Sequence, residues 1–265
     1  MEFSKIVGAG NDFVIMDNRD NKIYKKKTFA KKICNRKFGV GADGLILLEN
    51  SKRADFKMRI FNPDGSEAEM CGNGLRCLVR FIKEENILKT KEIKIETKAG
   101  IYYTQIDEDK IKIKMNIIGK PKMDIKISVK GENYTCYYLN TGVPHTVIFV
   151  KNIEKVKVEE IGPEIRYSEI FKPKGTNVDW VEVINQKSIR IRTYERGVEG
   201  ETLACGTGIV AGAIISFLTG KISPPVNVIP ASGEILKVYF SSDLKEIFLE
   251  GKTNYIFKGI IVNPQ

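Results

Sequence analysis

The segment Thr207–Leu218, TGIVAGAIISFL, is apolar on nearly every face. A helix with a polar stripe can lie at a surface; one without a stripe has to be enclosed. The run is well short of the roughly 20 residues that cross a bilayer. Its apolar part, Ile209–Leu218, is the longest such stretch in the 265-residue chain, so no transmembrane helix is expected. The enclosure then has to come from the chain itself, and most of the rest reads as strand. Phe56, Met58 and Ile60 alternate with Lys57 and Arg59, and Ile93–Thr97 and Ile101–Gln105 flank an Ala99-Gly100 turn as a hairpin would. Ile111–Met115, Ile125–Val129, Tyr134–Leu139, Thr146–Val150, Val178–Val183, Ile189–Thr193, Leu236–Phe240, Ile247–Leu249 and Tyr255–Val262 continue the pattern. The expected class is α/β (α+β), with sheet wrapped around a central helix.

A second helix is predicted from about Asn73 to Glu85, and it begins as the first does. Cys71-Gly-Asn-Gly opens one and Cys205-Gly-Thr-Gly opens the other. Related loops precede them, Asn62-Pro-Asp-Gly-Ser-Glu and Glu195-Arg-Gly-Val-Glu-Gly-Glu, with Cys71 nine residues after Asn62 and Cys205 nine after Arg196. Gly10–Val14 (GNDFV) echoes Thr176–Trp180 (TNVDW). Repeated strand–loop–CGxG–helix units predict two pseudo-symmetric halves of about 120–130 residues, each with its own central helix. Two lesser helices are predicted: one N-capped by Thr28 and running to about Arg36, the other from Asn152 to Ile161, ended by Gly162-Pro163.

A helix start offers unpaired N–H groups and the positive end of the macrodipole. An anion can sit there, and a thiol placed there ionises more readily. Two such starts brought face to face would hold a carboxylate between converging donors. The carbon bonded to that carboxylate would then lie between two sulfurs. One thiolate removes its proton from one face, the other thiol returns a proton to the opposite face, and the carbon is inverted. N–H donors aimed at the carboxylate stabilise the charge that gathers as the proton leaves. Such chemistry needs neither pyridoxal phosphate nor a metal, and no cofactor is expected. Cys71 and Cys205 are therefore the candidate acid/base pair, while Cys34, Cys77 and Cys136 read as small core residues.

The remaining composition narrows the partners. Five cysteines without a CxxC pair, and one histidine, argue against a disulfide framework and a zinc site. Lys+Arg exceeds Asp+Glu by 43 to 33, a net charge of +10. The basic residues do not form a nucleic-acid footprint, however. Lys25–Lys27, Lys31, Lys32, Arg36 and Lys37 have the spacing of a solvated helix face, and Lys91–Lys94 and Lys110–Lys114 alternate with Ile as on strands with one wet face. No nucleic-acid or membrane partner is expected. The N-terminus MEFSKIVGAGNDF lacks the basic start and apolar core of a secretory signal, so the expected location is the cytoplasm.

VGAGNDFVIMD, FNPDGSEAEMCGNGLRC, VPH and ERGVEGETLACGTG occur in this order along the chain. Together they resemble the motif set of the diaminopimelate epimerases, over essentially the whole length. The resemblance implies interconversion of LL- and meso-diaminopimelate without a cofactor, in the supply of lysine and peptidoglycan precursors. It implies two pseudo-symmetric halves, each a mostly antiparallel sheet around a central helix, with the active site in the cleft between them. The last strand would return to the first half, giving residues 1–117 plus 254–265 with Cys71, and residues 118–253 with Cys205. By the same resemblance Gly72, Asn73, Gly206 and Thr207 would hold the reacting carboxylate. Asn11, Asn62, Asn177, Glu195 and Arg196 would line the substrate site, with Asn62, Asn177 and Arg196 candidates for the distal carboxylate. His145 and Glu195 would assist the thiols. The only partner implied is the small-molecule substrate, and oligomeric state is left open, a homodimer among the alternatives.

The chain departs from the commonest pattern of that family at three places. Val143 stands where Asn commonly precedes Pro-His, the Glu195–Cys205 loop is one residue longer, and Gly44 replaces a frequent glutamine. These leave the two thiols in place and bear on the distal end of the substrate. A racemase of another amino acid, such as histidine, is the close alternative. Isomerases of the phenazine type, which lack the cysteine pair, fit less well, and a binder or redox sensor using the two thiols is the alternative of another class.

Overall fold

The computed structural model of the protein describes residues 1–262. The chain divides into two compact units. One comprises Met1–Lys114 and the segment that begins at Gly251; the other is Met115–Glu250.

The first unit runs β1 (Glu2–Gly8), β2 (Asn11–Asp17), α1 (Lys26–Ile33), β3 (Gly44–Glu49), β4 (Phe56–Phe61), β5 (Glu67–Ala68), α2 (Gly72–Glu84), β6 (Glu92–Thr97), β7 (Gly100–Asp107) and β8 (Lys110–Met115). Then follow β9 (Lys122–Val129), β10 (Glu132–Asn140), β11 (Pro144–Phe149), α3 (Val158–Arg166), β12 (Asn177–Asn185), β13 (Ser188–Glu195), β14 (Gly200–Thr202), α4 (Gly206–Leu218), β15 (Val226–Ile229), β16 (Leu236–Phe240), β17 (Ile247–Lys252) and β18 (Asn254–Ile260).

The two units repeat one topology. In the first, β1 and β2 are antiparallel, β2 and β3 parallel, β3 and β4 antiparallel, β4 parallel to β6, and β6–β7–β8 antiparallel. In the second, β10 and β11, β11 and β12, β12 and β13, β13 and β15, and β15–β16–β17 repeat these relations in the same order. The strand after each set joins the other unit's sheet. β9 follows β8 yet pairs with β10, and β18 follows β17 yet pairs with β1.

Each unit closes on its helix. α2 packs against β1–β4 and β18, and α4 against β10–β13, β15 and β16. Gly208–Ser216 of α4 is buried throughout, as its all-round apolarity requires. Each fully buried Ile or Val there contributes about 1.5–3 kcal/mol of transfer free energy. α2 is amphipathic by contrast, with Arg80, Lys83 and Glu84 on its outer side. Cys34, Cys77 and Cys136 are buried, and burial pushes the Cys34 and Cys136 thiols up to about 12.

Several local expectations need correction. Thr28 lies inside α1, whose N-cap is Lys25 with no side-chain cap bond. The segment from Asn152 is a 3₁₀ turn, Ile153–Lys155, capped by Asn152, and the helix proper starts at Val158 and continues through Gly162-Pro163 to Arg166. Tertiary packing overrides the Gly-Pro stop: Val158 and Ile165 are buried, and a Cβ on Gly162 would lie 2.5 Å from the Tyr194 ring, so the glycine lets α3 rest on that ring. The sequence echo between Gly10–Val14 and Thr176–Trp180 does not mark equivalent strands. Asn11 opens β2, whose topological counterpart is β11, whereas Asn177 opens β12. β18 ends at Ile260 rather than Val262.

The registers give residue-level equivalence. β5 and β14 each end three residues before the cysteine, where Ala68 pairs with Ile60 and Thr202 with Thr193. Ile60 pairs with Ile46, and Thr193 with Asp179. Two residues earlier, Gly44 pairs with Phe13 and Asn177 with His145. Phe13, Ile46 and Ile60 of the first unit thus correspond to His145, Asp179 and Thr193 of the second.

Candidate active site

Cys71 is the N-cap of α2 and Cys205 the N-cap of α4, both in extended conformation. At α2 the Cys71 sulfur accepts the Gly74 N–H at 3.4 Å, and a side chain on Gly72 would meet open space. Asn73 is buried. Its amide donates to Asn11 Oδ1 at 2.8 Å, and Asn11 donates in turn to Asp43 at 3.1 Å. Arg76 donates to Asn73 Oδ1 at 2.7 Å. Asn62 stands apart from this network, exposed in its loop and bonded to Ser66 Oγ at 2.9 Å.

The surroundings of Cys205 are different. Cys205 is buried, and its thiol lies 3.4 Å from the Thr207 hydroxyl, which lies 2.9 Å from His145 Nε2. His145 is fully buried, and its Nδ1 lies 2.7 Å from Asp179 Oδ2. Asp179 is also fully buried and accepts the Thr193 hydroxyl on Oδ1 at 2.8 Å. Gly208, the last glycine of CGTG, admits this pair beneath the helix: a Cβ there would lie 2.4 Å from Asp179 Oδ1 and 3.2 Å from His145 Cε1. Burial pushes the Cys205 thiol well above its ordinary value, and the charges of Glu195 and Asp179 add to that effect. Burial also raises the Glu195 carboxyl, which lies within hydrogen-bonding reach of the Cys205 thiol.

Asn177 organises the neighbouring backbone. Its Nδ2 donates to the Pro144 carbonyl at 2.9 Å and its Oδ1 accepts the Arg196 N–H at 2.7 Å. The Arg196 guanidinium donates to the Lys174 carbonyl at 3.2 Å. The second unit therefore gathers His145, Asn177, Glu195, Arg196, Cys205, Gly206 and Thr207 around one helix start. The first unit gathers Asn11, Cys71, Gly72 and Asn73 around another. Asp179 was not among the sequence-derived candidates; its signal was a carboxylate directly between Val178 and Trp180 in a strand-like segment. Among the described residues no cluster of three His, Cys, Asp or Glu could hold a metal ion, and no helix is long and apolar enough to cross a membrane.

The fold is shared with solved structures of low sequence identity. A phenazine biosynthesis protein of the PhzF family from Bacillus anthracis superimposes with a TM-score of 0.73 at 18% identity, covering 99% of each chain. A hydroxyproline epimerase from Agrobacterium vitis, solved with trans-4-hydroxy-L-proline, superimposes with a TM-score of 0.70 at 15% identity, covering 98% of this chain and 91% of that one. Both likenesses are of fold, and two cysteine-capped helix starts stand on this scaffold. At the level of sequence, the diaminopimelate epimerase family model matches residues 3–123 and 137–256. The diaminopimelate epimerase of Aquifex aeolicus is 48% identical over 271 residues, covering 98% of this chain and 97% of the relative. The chain belongs to the diaminopimelate epimerase family.

Proposed function

We propose that the protein epimerises LL-diaminopimelate to meso-diaminopimelate in lysine and peptidoglycan precursor biosynthesis, with Cys71 and Cys205 as its two bases. The observation that carries this reading is the equivalence of the two cysteines, each the N-cap of the central helix in a repeated topology. The N–H groups of Gly72 and Asn73, and of Gly206 and Thr207, bind the reacting carboxylate and stabilise the charge it gains as the α-proton leaves. Cys205 is the protonated partner at rest, because burial and two nearby carboxylates disfavour its thiolate. Cys71, at a helix start with an N–H on its sulfur, is the resting base. A turnover moves one proton from substrate to Cys71 and another from Cys205 to the opposite face of the same carbon.

Asn11 positions Asn73, Asn177 positions the Arg196 backbone, and Glu195 and His145 serve Cys205. The Arg196 guanidinium, with Asn62 and Asn177, is the candidate grip on the distal carboxylate, for which its planar fork is suited. The enzyme works in the cytoplasm and without pyridoxal phosphate.

The test is turnover of LL-diaminopimelate in D₂O by wild type, Cys71→Ala and Cys205→Ala, with L-histidine and L-lysine as competing substrates. Each variant is expected to lose at least about 10³-fold in kcat, since removing a general acid or base costs on the order of 10²–10⁴-fold. Near-wild-type turnover by either variant would defeat the two-base reading. Equal turnover of histidine would defeat the substrate assignment.

A further inference from the structure

Cys205 has to lose and regain its proton in each cycle, and the groups that exchange it are ordered around its helix start. After it gives its proton to substrate it is a thiolate in a nearly closed environment, and in the opposite direction of reaction it must lose a proton there before it can act. The residue is buried, so bulk water is a poor route. The ionisable groups that face it are Glu195 from β13, Asp179 from β12 and, through Thr207, His145 from β11.

We propose that Asp179, His145 and the Thr207 hydroxyl form a proton relay that ionises Cys205, with Asp179 as the residue that positions His145 for it. The inference rests on the assignment of Cys205 as a base. The order of contacts is continuous: Cys205 Sγ to Thr207 Oγ1 at 3.4 Å, Thr207 Oγ1 to His145 Nε2 at 2.9 Å, and His145 Nδ1 to Asp179 Oδ2 at 2.7 Å. An ionised carboxylate only accepts, so Asp179 fixes the hydrogen of neutral His145 on Nδ1 and leaves Nε2 as an acceptor. Thr207 has one hydrogen. It donates that hydrogen to Nε2, and its oxygen then accepts the S–H of Cys205.

The transfer balances within these groups. The S–H proton passes to the Thr207 oxygen while the original hydroxyl proton passes to Nε2. Cys205 becomes a thiolate, Thr207 stays neutral, and His145 becomes an imidazolium beside the Asp179 carboxylate. Reversal returns the proton to sulfur. The buried carboxylate opposes a thiolate by direct repulsion, but it favours the imidazolium that formation of the thiolate creates. Thr193 holds the second carboxylate oxygen, so the acid is aimed and satisfied on both sides. Gly208 keeps the space above it open. The corresponding positions beneath α2 are the apolar Phe13, Ile46 and Ile60.

The experiment compares wild type with Asp179→Asn, Thr207→Val, Thr207→Ser and Cys205→Ala. It measures kcat and KM for diaminopimelate, and the pH dependence with which methyl methanethiosulfonate modifies Cys71 and Cys205, each read from its own peptide by mass spectrometry. Asp179→Asn and Thr207→Val are expected to lose on the order of 10²-fold in kcat, with KM little changed. In both, the midpoint for modification of Cys205 moves up by about one pH unit or more, while that of Cys71 stays in place. Thr207→Ser, which keeps a hydroxyl, recovers most of what Thr207→Val loses. A Cys205 midpoint unmoved in Asp179→Asn overturns the relay, as does an equal shift at both cysteines, which marks a general structural disturbance. Cys205→Ala that still turns over would instead defeat the base assignment on which the relay rests.

Discussion

Beneath the start of α4, strands β11, β12 and β13 place His145, Asp179 and Thr193; beneath the start of α2, strands β2, β3 and β4 place Phe13, Ile46 and Ile60. All six are buried. One unit thus supports its cysteine-capped helix on a hydrogen-bonded polar cluster, the other on packed hydrocarbon. The CGxG motif is the same in both, yet its last glycine answers two different needs. At Gly208 it clears a carboxylate oxygen, and at Gly74 it clears two isoleucine methyls. The first unit's carboxylates Asp12 and Asp43 are held in ion pairs away from these positions. Lys5 and Arg36 both pair with Asp12 at 2.7 Å, and Arg36 also reaches Asp43 at 2.7 Å. A duplicated scaffold can therefore hold two chemically similar thiols while tuning each from below, because the residues beneath a helix start are independent of the N–H donors at its tip.

The strongest way to break this contrast is to transplant one foundation into the other unit. Asp179→Ile alone strands the His145 ring N–H and the Thr193 hydroxyl, each at about 1–3 kcal/mol. The triple change His145→Phe, Asp179→Ile and Thr193→Ile supplies the complete apolar set. It should recover stability to near wild type, since replacing a buried polar cluster with packed apolar residues is often neutral or stabilising by about 1–4 kcal/mol. Activity should nevertheless fall by at least about 10³-fold. Urea unfolding and turnover assays decide it. A triple variant less stable than the single one would show that the two foundations are not interchangeable, and an active triple variant would strip the polar cluster of any catalytic part.

A smaller effect sharpens the contrast at the glycines. Gly208→Ala forces a methyl to 2.4 Å from Asp179 Oδ1, and should cost about 1–3 kcal/mol by overpacking and lower kcat as well. Gly74→Ala meets the flexible ends of Ile46 and Ile60 at 3.0 and 3.1 Å, and the gain of about 1 kcal/mol in helix propensity should offset most of the crowding. Equal losses in the urea midpoint would contradict the difference in foundations.

The smallest effect concerns the Asp12 ion pairs of the first unit. Burial works against ionised Asp12, but hydrogen bonds and charge from Arg36 and Lys5 outweigh it and hold the carboxyl well below the usual range. A depressed folded-state value stabilises the fold above the unfolded carboxylate pKa of about 3.9 and loses that contribution as the pH falls through the folded value. Arg36 is 61% exposed, so solvent screening limits Arg36→Gln to roughly 0.2–1 kcal/mol at pH 7. The deficit should shrink as the pH drops below the ordinary carboxylate range. A deficit that grew on acidification would reverse the sign.

What could be read from the sequence followed the range of each signal. The burial of α4 is a property of thirteen consecutive residues, and the β6–β7 hairpin is local too, so both were visible. The repeat in the two CGxG helix starts was visible because identical backbone demands select identical residues. β1, β2 and β3 lacked the expected alternation: β2 and β3 are buried almost continuously, and β1 buries Ser4 and Lys5 among apolar neighbours. The continuation of α3 through Gly162-Pro163 was hidden because the close approach at Gly162 is to Tyr194, thirty-two residues away. Asp179 was hidden for the same reason. Only the parallel register of β11 with β12 brings it to His145, thirty-four residues earlier.

The exchange of final strands between the units also orders events during synthesis. On one side β1 is flanked by β2, which is made immediately after it. On the other side it needs β18, and the Met1 amino group likewise needs the Ile261 carbonyl, 2.8 Å away. Every other strand of both units leaves the ribosome before β18 does. Through that interval the nascent chain carries one bare edge at β1, with its N–H and C=O groups open to pairing with any neighbouring strand, and such edges seed aggregation. The buried Ser4 and Lys5 put polar side chains on that edge strand while it waits. The unit that is made first is completed last.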